Sequence, residues 1–281
     1  MANIKKQITK SKEAIQDVMQ MNLALIAESI IAKVIGKAKR LTPSQMGNAI
    51  KDISPSGINA YKSDLKAALA VVSSDALDQA RTEVPAAKSV KLMENEERLL
   101  FGEFENLPPK VRKRINDANQ LLIGTQIADL EKTLFFQFNS SSSAEKPIKE
   151  IESDMNEKAE KYITGSSIQA GSGVIAATTV NDARNAFFFE PEVLEEIAAF
   201  QFMNEAPVSA ICKDLAGAIF PTSDPNAFRF TPPLHYNCKS WIRPILKLSK
   251  NMNVERLKPS TREIEDTIQF TESMVSCSCC S

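Results

Sequence analysis

The sequence predicts an α+β protein in which a long helical N-terminal region precedes a smaller α+β C-terminal domain with short strands and a proline-rich loop. Three observations carry this. Apolar residues recur at three-and-four spacing from Ile15 to Phe138. A serine run interrupts that pattern at residues 139–146. Beyond Glu190 short apolar runs alternate with proline, asparagine and aspartate, which is the texture of strands and turns.

The elements follow in chain order. Ile15, Met19, Leu23, Ile26, Ile30 and Val34 lie on one face of a first long helix. Thr42-Pro43 and Ser54-Pro55 each set a capping hydroxyl before a proline, which tolerates the first helical position, so helices are expected to start there. Ile58, Tyr61, Leu65, Leu69 and Val72 continue the period. After a loop at Leu107-Pro108-Pro109, Ile115, Ala118, Leu122, Ile127, Leu130, Leu134 and Phe138 mark another long amphipathic helix. The four consecutive serines have nothing to bury and favour turns, so a linker is expected over residues 140–147, closing a helical region of residues 1–139. Pro147 then opens a helix with the face Ile148, Ile151, Met155, Ala159 and Tyr162, which the run Gly165 to Gly173 ends; a shorter helix covers Val174 to Asn185. Ile197–Met203, Ala218–Phe220 and Trp241–Leu246 are the strand-like runs. The C-terminal domain is expected over residues 148–250, followed by a tail, 251–281, with weaker periodicity.

Bulk properties narrow the function classes. Hydrophobic residues make up 43% and charged residues 25% of 281, an ordinary globular composition. The 34 basic and 35 acidic side chains nearly cancel, so any contact with DNA must be local. No run of roughly 18 to 20 uninterrupted apolar residues is present, and no membrane partner is expected. MANIKKQITKSKEAIQ carries charge where a secretory signal holds its apolar core, so the product is expected to be made and kept in a cytoplasm. Five cysteines at this length do not make a disulfide scaffold; three of them, Cys277, Cys279 and Cys280, crowd the tail.

Unusual residues concentrate in residues 208–245, which hold the single histidine, the single tryptophan, two cysteines and five prolines. His235 and Cys238 form an H-x-x-C pair, and two donors three apart on a turn reach one zinc ion at about 2.0–2.3 Å. Cys212 would supply a third ligand, with a water, Asp214 or a tail cysteine completing the tetrahedron; Ser209 stands where a C-x-x-C partner would be. No motif requires a cofactor, and zinc is the metal these donors would take. The other reading makes Cys212 and Cys238 small buried side chains and lets His235 bond to the loop backbone. An enzyme would need Cys212 or Cys238 as a thiolate beside an imidazole base and an oxyanion donor, which spacing does not supply. The chain also lacks a phosphate loop, an H-E-x-x-H pair and a G-x-S-x-G elbow, so no catalytic residue is assigned. Lys110-Val111-Arg112-Lys113-Arg114 could touch phosphates, but with Glu103, Glu105 and Asp117 nearby it reads as a solvated helix start.

Taken as one unit, Cys212, Leu215, Gly217, Phe220, Asp224, Pro232, Pro233, His235, Asn237, Cys238, Ser240 and Pro244 fall in an ordered pattern. It resembles the signature of the phage Mu F-like head morphogenesis family: a cysteine, a leucine-aspartate-glycine turn, an aromatic, an aspartate, then Pro-Pro-x-His-x-x-Cys-Arg-Ser and a proline. The likeness covers residues 150–248, including a helix at Thr178 to Asn185 and the strand-like IAAFQFMNE. Ala216 replaces the usual acidic residue, Lys239 the usual arginine, and Pro207 lies where an Arg-Thr pair is common. The resemblance implies a non-enzymatic, low-copy virion component at the portal vertex or capsid interior, with the portal protein, the major capsid protein and packaged DNA as partners. A thiol- or zinc-dependent enzyme using Cys212, His235 and Cys238 is the competing class.

Overall fold

The computed structural model describes residues 2–37, 45, 50, 55–85, 109–204, 209–224, 227–234, 238 and 240–247. Thr42-Pro43, Pro207, the H-x-x-C histidine His235, Asn237, Lys239 and the tail with Cys277, Cys279 and Cys280 lie outside them. Five substantial helices are described: α1 (Ala2–Lys37), α2 (Pro55–Glu83), α3 (Pro109–Ser143), α4 (Ile148–Ile163) and α5 (Ser166–Phe188). A short α6 (Pro191–Leu194), β1 (Ile197–Met203), a short α7 (Ala210–Asp214), β2 (Ile219–Pro221), a 3-10 turn (Ala227–Phe230) and β3 (Trp241–Leu246) follow. The fold class is α+β, with long helices first and a small sheet in the C-terminal region.

The chain divides into two compact units, each assembled from separated stretches of sequence. One comprises residues 10–69 and 114–172 and is helical. Its helices close on one another through paired polar contacts. Asn22 of α1 donates to Asp64 of α2 at 3.1 Å. The Tyr61 hydroxyl of α2 donates to Gln126 of α3, and Tyr162 of α4 donates to the Gln126 carbonyl at 3.1 Å. Gln20 of α1 donates to the Ile163 carbonyl of α4 at 3.3 Å. Met19, Leu23, Ile26, Ile30 and Val34 fill the space between, together with Leu65, Leu130, Leu134 and Met155. Each such side chain contributes about 1.5–3 kcal/mol on burial.

Several sequence expectations change here. The serine run does not form a linker: Asn139–Ser143 are the last residues of α3. Turn propensity is outweighed by a tertiary contact, because Ser141 is buried and donates to Asp154 of α4 at 2.6 Å, where Lys146 also pairs at 2.7 Å. Those two bonds, Lys146 first, hold the Asp154 carboxyl below its ordinary range. The glycine run does not end a helix throughout its length either. Gly165 alone makes the break, since a Cβ there would stand 2.9 Å from the Lys161 carbonyl oxygen. Gly171 lies inside α5, where a Cβ would touch Met19 at 3.9 Å. Finally, α1 holds an 18-residue window of mean hydropathy 1.6, long and apolar enough to cross a membrane by length and composition alone. The sequence reading missed this because alanines and methionines raise the average without an unbroken run. Its fully buried face already lies in the helical core.

The other unit comprises residues 1–9, 70–113 and 173–281. Its centre is the second half of α5, where Ala176, Ala177, Val180, Ala183, Phe187 and Phe188 are all buried. The sheet has the order β2-β1-β3, with both pairings antiparallel. Phe200 of β1 pairs with Phe220 on one side and Pro244 on the other. β1, central and mostly buried, is almost continuously apolar, whereas the prolines Pro221 and Pro244 sit in the outer strands, where a missing N–H costs no ladder bond. Phe188 packs on Phe200 at 6.2 Å between ring centroids, which fixes α5 to the sheet.

Candidate functional site

The cysteine-bearing motif is built around the end of β1 and the turn that leads into β2. Ser209 caps α7 by accepting the Cys212 N–H at 3.3 Å, and Asn204 at the end of β1 donates to the Cys212 carbonyl at 2.8 Å. The chain then reverses through Leu215-Ala216-Gly217. Gly217 has φ +76°, a left-handed conformation that costs a residue with a Cβ about 1–2 kcal/mol. Its N–H donates to the Phe202 carbonyl at 2.9 Å, and Phe202 donates back to Ala218 at 2.8 Å, so the turn is welded to β1. The family-like Leu-x-Gly spacing therefore has a backbone reason.

The loop after β2 is more regular than its sequence suggested. Asp224 and Ala227 close successive turns, the 3-10 turn over Ala227–Phe230 follows, and Phe230 stacks on Phe220 at 4.8 Å between centroids. The Pro232–Pro233 peptide is cis. Asn185 of α5 donates to the Pro232 carbonyl at 2.5 Å, and Asn181, one turn earlier, donates to the Ser240 carbonyl at 2.8 Å. Arg184 lies on the same face, 1% exposed, and binds Glu83 through two contacts of 2.8 Å while its guanidinium covers the Phe188 ring at 5.1 Å. These three polar residues of α5 were not singled out from the sequence, because Thr178, Thr179 and Asp182 of the same helix are polar as well and nothing local sets the three apart.

These anchors bring Cys212 and Cys238 together: the sulfurs stand 3.7 Å apart and the residues are 1% and 0% exposed. Phe202, Ile211, Leu215, Ala218, Phe220, Ala227 and Phe230 enclose them, with Leu234 packed alongside. The hydrogen-bonding contact between the two thiols and then burial hold the Cys212 thiol far above its ordinary range, only partly offset by the Ser209 and Ser240 hydroxyls. A thiol in that state is protonated, the opposite of what nucleophilic catalysis uses.

As a metal site the pair offers one edge. Sulfurs about 2.3 Å from a tetrahedral zinc stand roughly 3.7–3.8 Å apart, and two protonated thiols in van der Waals contact have about the same separation. Asp214 is exposed on α7, away from the buried environment of Cys212. Among the described residues no three His, Cys, Asp or Glu side chains gather as ligands. Two sulfurs alone fit half of a structural zinc site.

The basic run opens α3: Val111 is buried and Lys113 exposed, with the side chains of Lys110 and Arg114 outside the described residues. In the helical unit, α1 and α4 frame an open groove of about 580 Å³ lined by Met21, Leu25, Ala159 and Ile163 among others. Met21 and Leu25 are 53% and 59% exposed. The face at Ile26 and Ile30 is internal. No protein family, curated protein or solved structure matches the chain, and the site rests on its own geometry.

Proposed function

We propose that the chain is a minor structural head protein of a tailed phage, made in the host cytoplasm and placed at the portal vertex or capsid interior. Its role there is in head assembly or in handling the genome, and it has no catalytic residues. The observation that carries this reading is the Mu F-like pattern over residues 208–245, whose described members serve one local architecture: Gly217 as the turn, Cys212 against Cys238, and Pro232 tied to α5. Such a closed, apolar arrangement suits a scaffold. A thiol- or zinc-dependent enzyme using Cys212, His235 and Cys238 would need an open cleft and an activated sulfur, and the surroundings of Cys212 disfavour both.

The portal protein and the major capsid protein are the partners this role requires, with packaged DNA as a third. Since Ile26 and Ile30 are internal, the exposed side chains Met21 and Leu25 of α1 are the ones available to a partner. Affinity capture of the tagged full chain from cells assembling heads should recover the portal protein. Met21→Asp combined with Leu25→Asp should reduce that recovery at least tenfold while the urea midpoint moves by less than about 1 kcal/mol equivalent, as expected of surface changes. Recovery of the chain free of every head protein would refute the role.

A further inference from the structure

We infer that Cys212 and Cys238 form an oxidation site at which a peroxide closes an intramolecular disulfide between α7 and the segment leading into β3. The proposal does not depend on the virion role. Its basis is geometric. The two sulfurs are already in contact at 3.7 Å, each held by a different part of the motif. Cys212 is fixed by the Ser209 cap and by the Asn204 contact at its carbonyl. Cys238 lies between Pro232 and Ser240, two points that Asn185 and Asn181 tie to the same helix. A disulfide at about 2.05 Å requires about 1.7 Å of closure, shared by two side chains. Both thiols are buried and in contact, so each has the other as an immediate reaction partner.

The chemistry balances with hydrogen peroxide as oxidant. The thiolate of one cysteine attacks a peroxide oxygen, the O–O bond breaks, and the sulfur becomes a sulfenic acid as one water leaves. The second sulfur attacks the first, the S–S bond forms and the S–O bond breaks, and the oxygen leaves as a second water with the remaining proton. Two thiols are oxidised by two electrons and one peroxide is reduced. Burial and protonation slow the first step, so the dithiol persists in a reducing cytoplasm and closes on exposure to oxidant. The bond spans 26 positions of chain and would hold the turn, β2 and the proline loop as one closed ring.

The test uses the full chain with Cys277→Ser, Cys279→Ser and Cys280→Ser, alongside the unsubstituted chain. Each is treated with equimolar hydrogen peroxide in two portions, one as purified and one freed of metal with a chelator. After denaturation, alkylation and trypsin digestion without reductant, residues 185–213 and 230–239 should appear as one species lighter by two hydrogens than their sum. The urea midpoint of the oxidised monomer should exceed that of the reduced one. Separate alkylated peptides, sulfinic products, or a bridge between two molecules would overturn the proposal. So would sulfurs that resist peroxide before chelation and react only after it, because that result assigns them to a metal.

Discussion

Cys238 shows how one side chain closes the C-terminal unit. It is completely buried, lies against Cys212, and shares its pocket with Phe202, Phe220 and Phe230. Removing its sulfur leaves a void beside rings that cannot collapse freely, and Cys238→Ala is expected to lower stability by about 1–3 kcal/mol. Urea unfolding of the reduced proteins checks this, and an unchanged midpoint would show that the thiol pair does not support the core. The closeness of Cys212 and Cys238 was legible because both bracket a long loop whose ends need fixing. The residues that do the fixing were not. Asn181, Arg184 and Asn185 look like ordinary helix-surface residues until their partners, which lie 47 or more positions away, are known. Arg184 is the clearest case, since a buried guanidinium is tolerated because Glu83, the Phe188 ring and the Ile242 carbonyl receive it.

Between helices, polar pairs decide the helical unit's response to pH. Burial, reinforced by Tyr162, holds the Tyr61 hydroxyl well above its ordinary value of 10, and burial followed by Asp129 pushes Tyr162 up to about 12. Both phenols are neutral in the folded and unfolded chain below pH 10, so their contribution is complete there. Above pH 10 the unfolded chain loses protons that the folded chain retains, and stability falls as pH rises. Urea midpoints should therefore decline between pH 10 and pH 12, and Tyr61→Phe should flatten the decline while costing the bond to Gln126. An equally steep decline in that variant would assign the effect elsewhere. The helices themselves were legible from apolar spacing, and β1 and β3 from their short apolar runs. Local chemistry misled at two places: at Asn139–Ser143 the contact of Ser141 with α4 outweighs the turn-forming preference of serine, and Gly171 continues α5.

At the scale of the whole chain, the sequence order conceals how the units are assembled. The helical unit joins residues 10–69 to 114–172, a pairing that no composition shift announces, because a hydrophobic stripe does not name its partner. The same limit applies to the surface. Sequence spacing identified the apolar face of α1 but could not say that it is satisfied internally, which leaves Met21 and Leu25 as the exposed large apolar side chains of that helix. The central claim, that the chain is a low-copy component of a phage head, is tested most directly by quantitative mass spectrometry of purified virions and proheads from cells expressing it. The account predicts the chain in one or both particles at well below the abundance of the major capsid protein; its absence from both would contradict the claim.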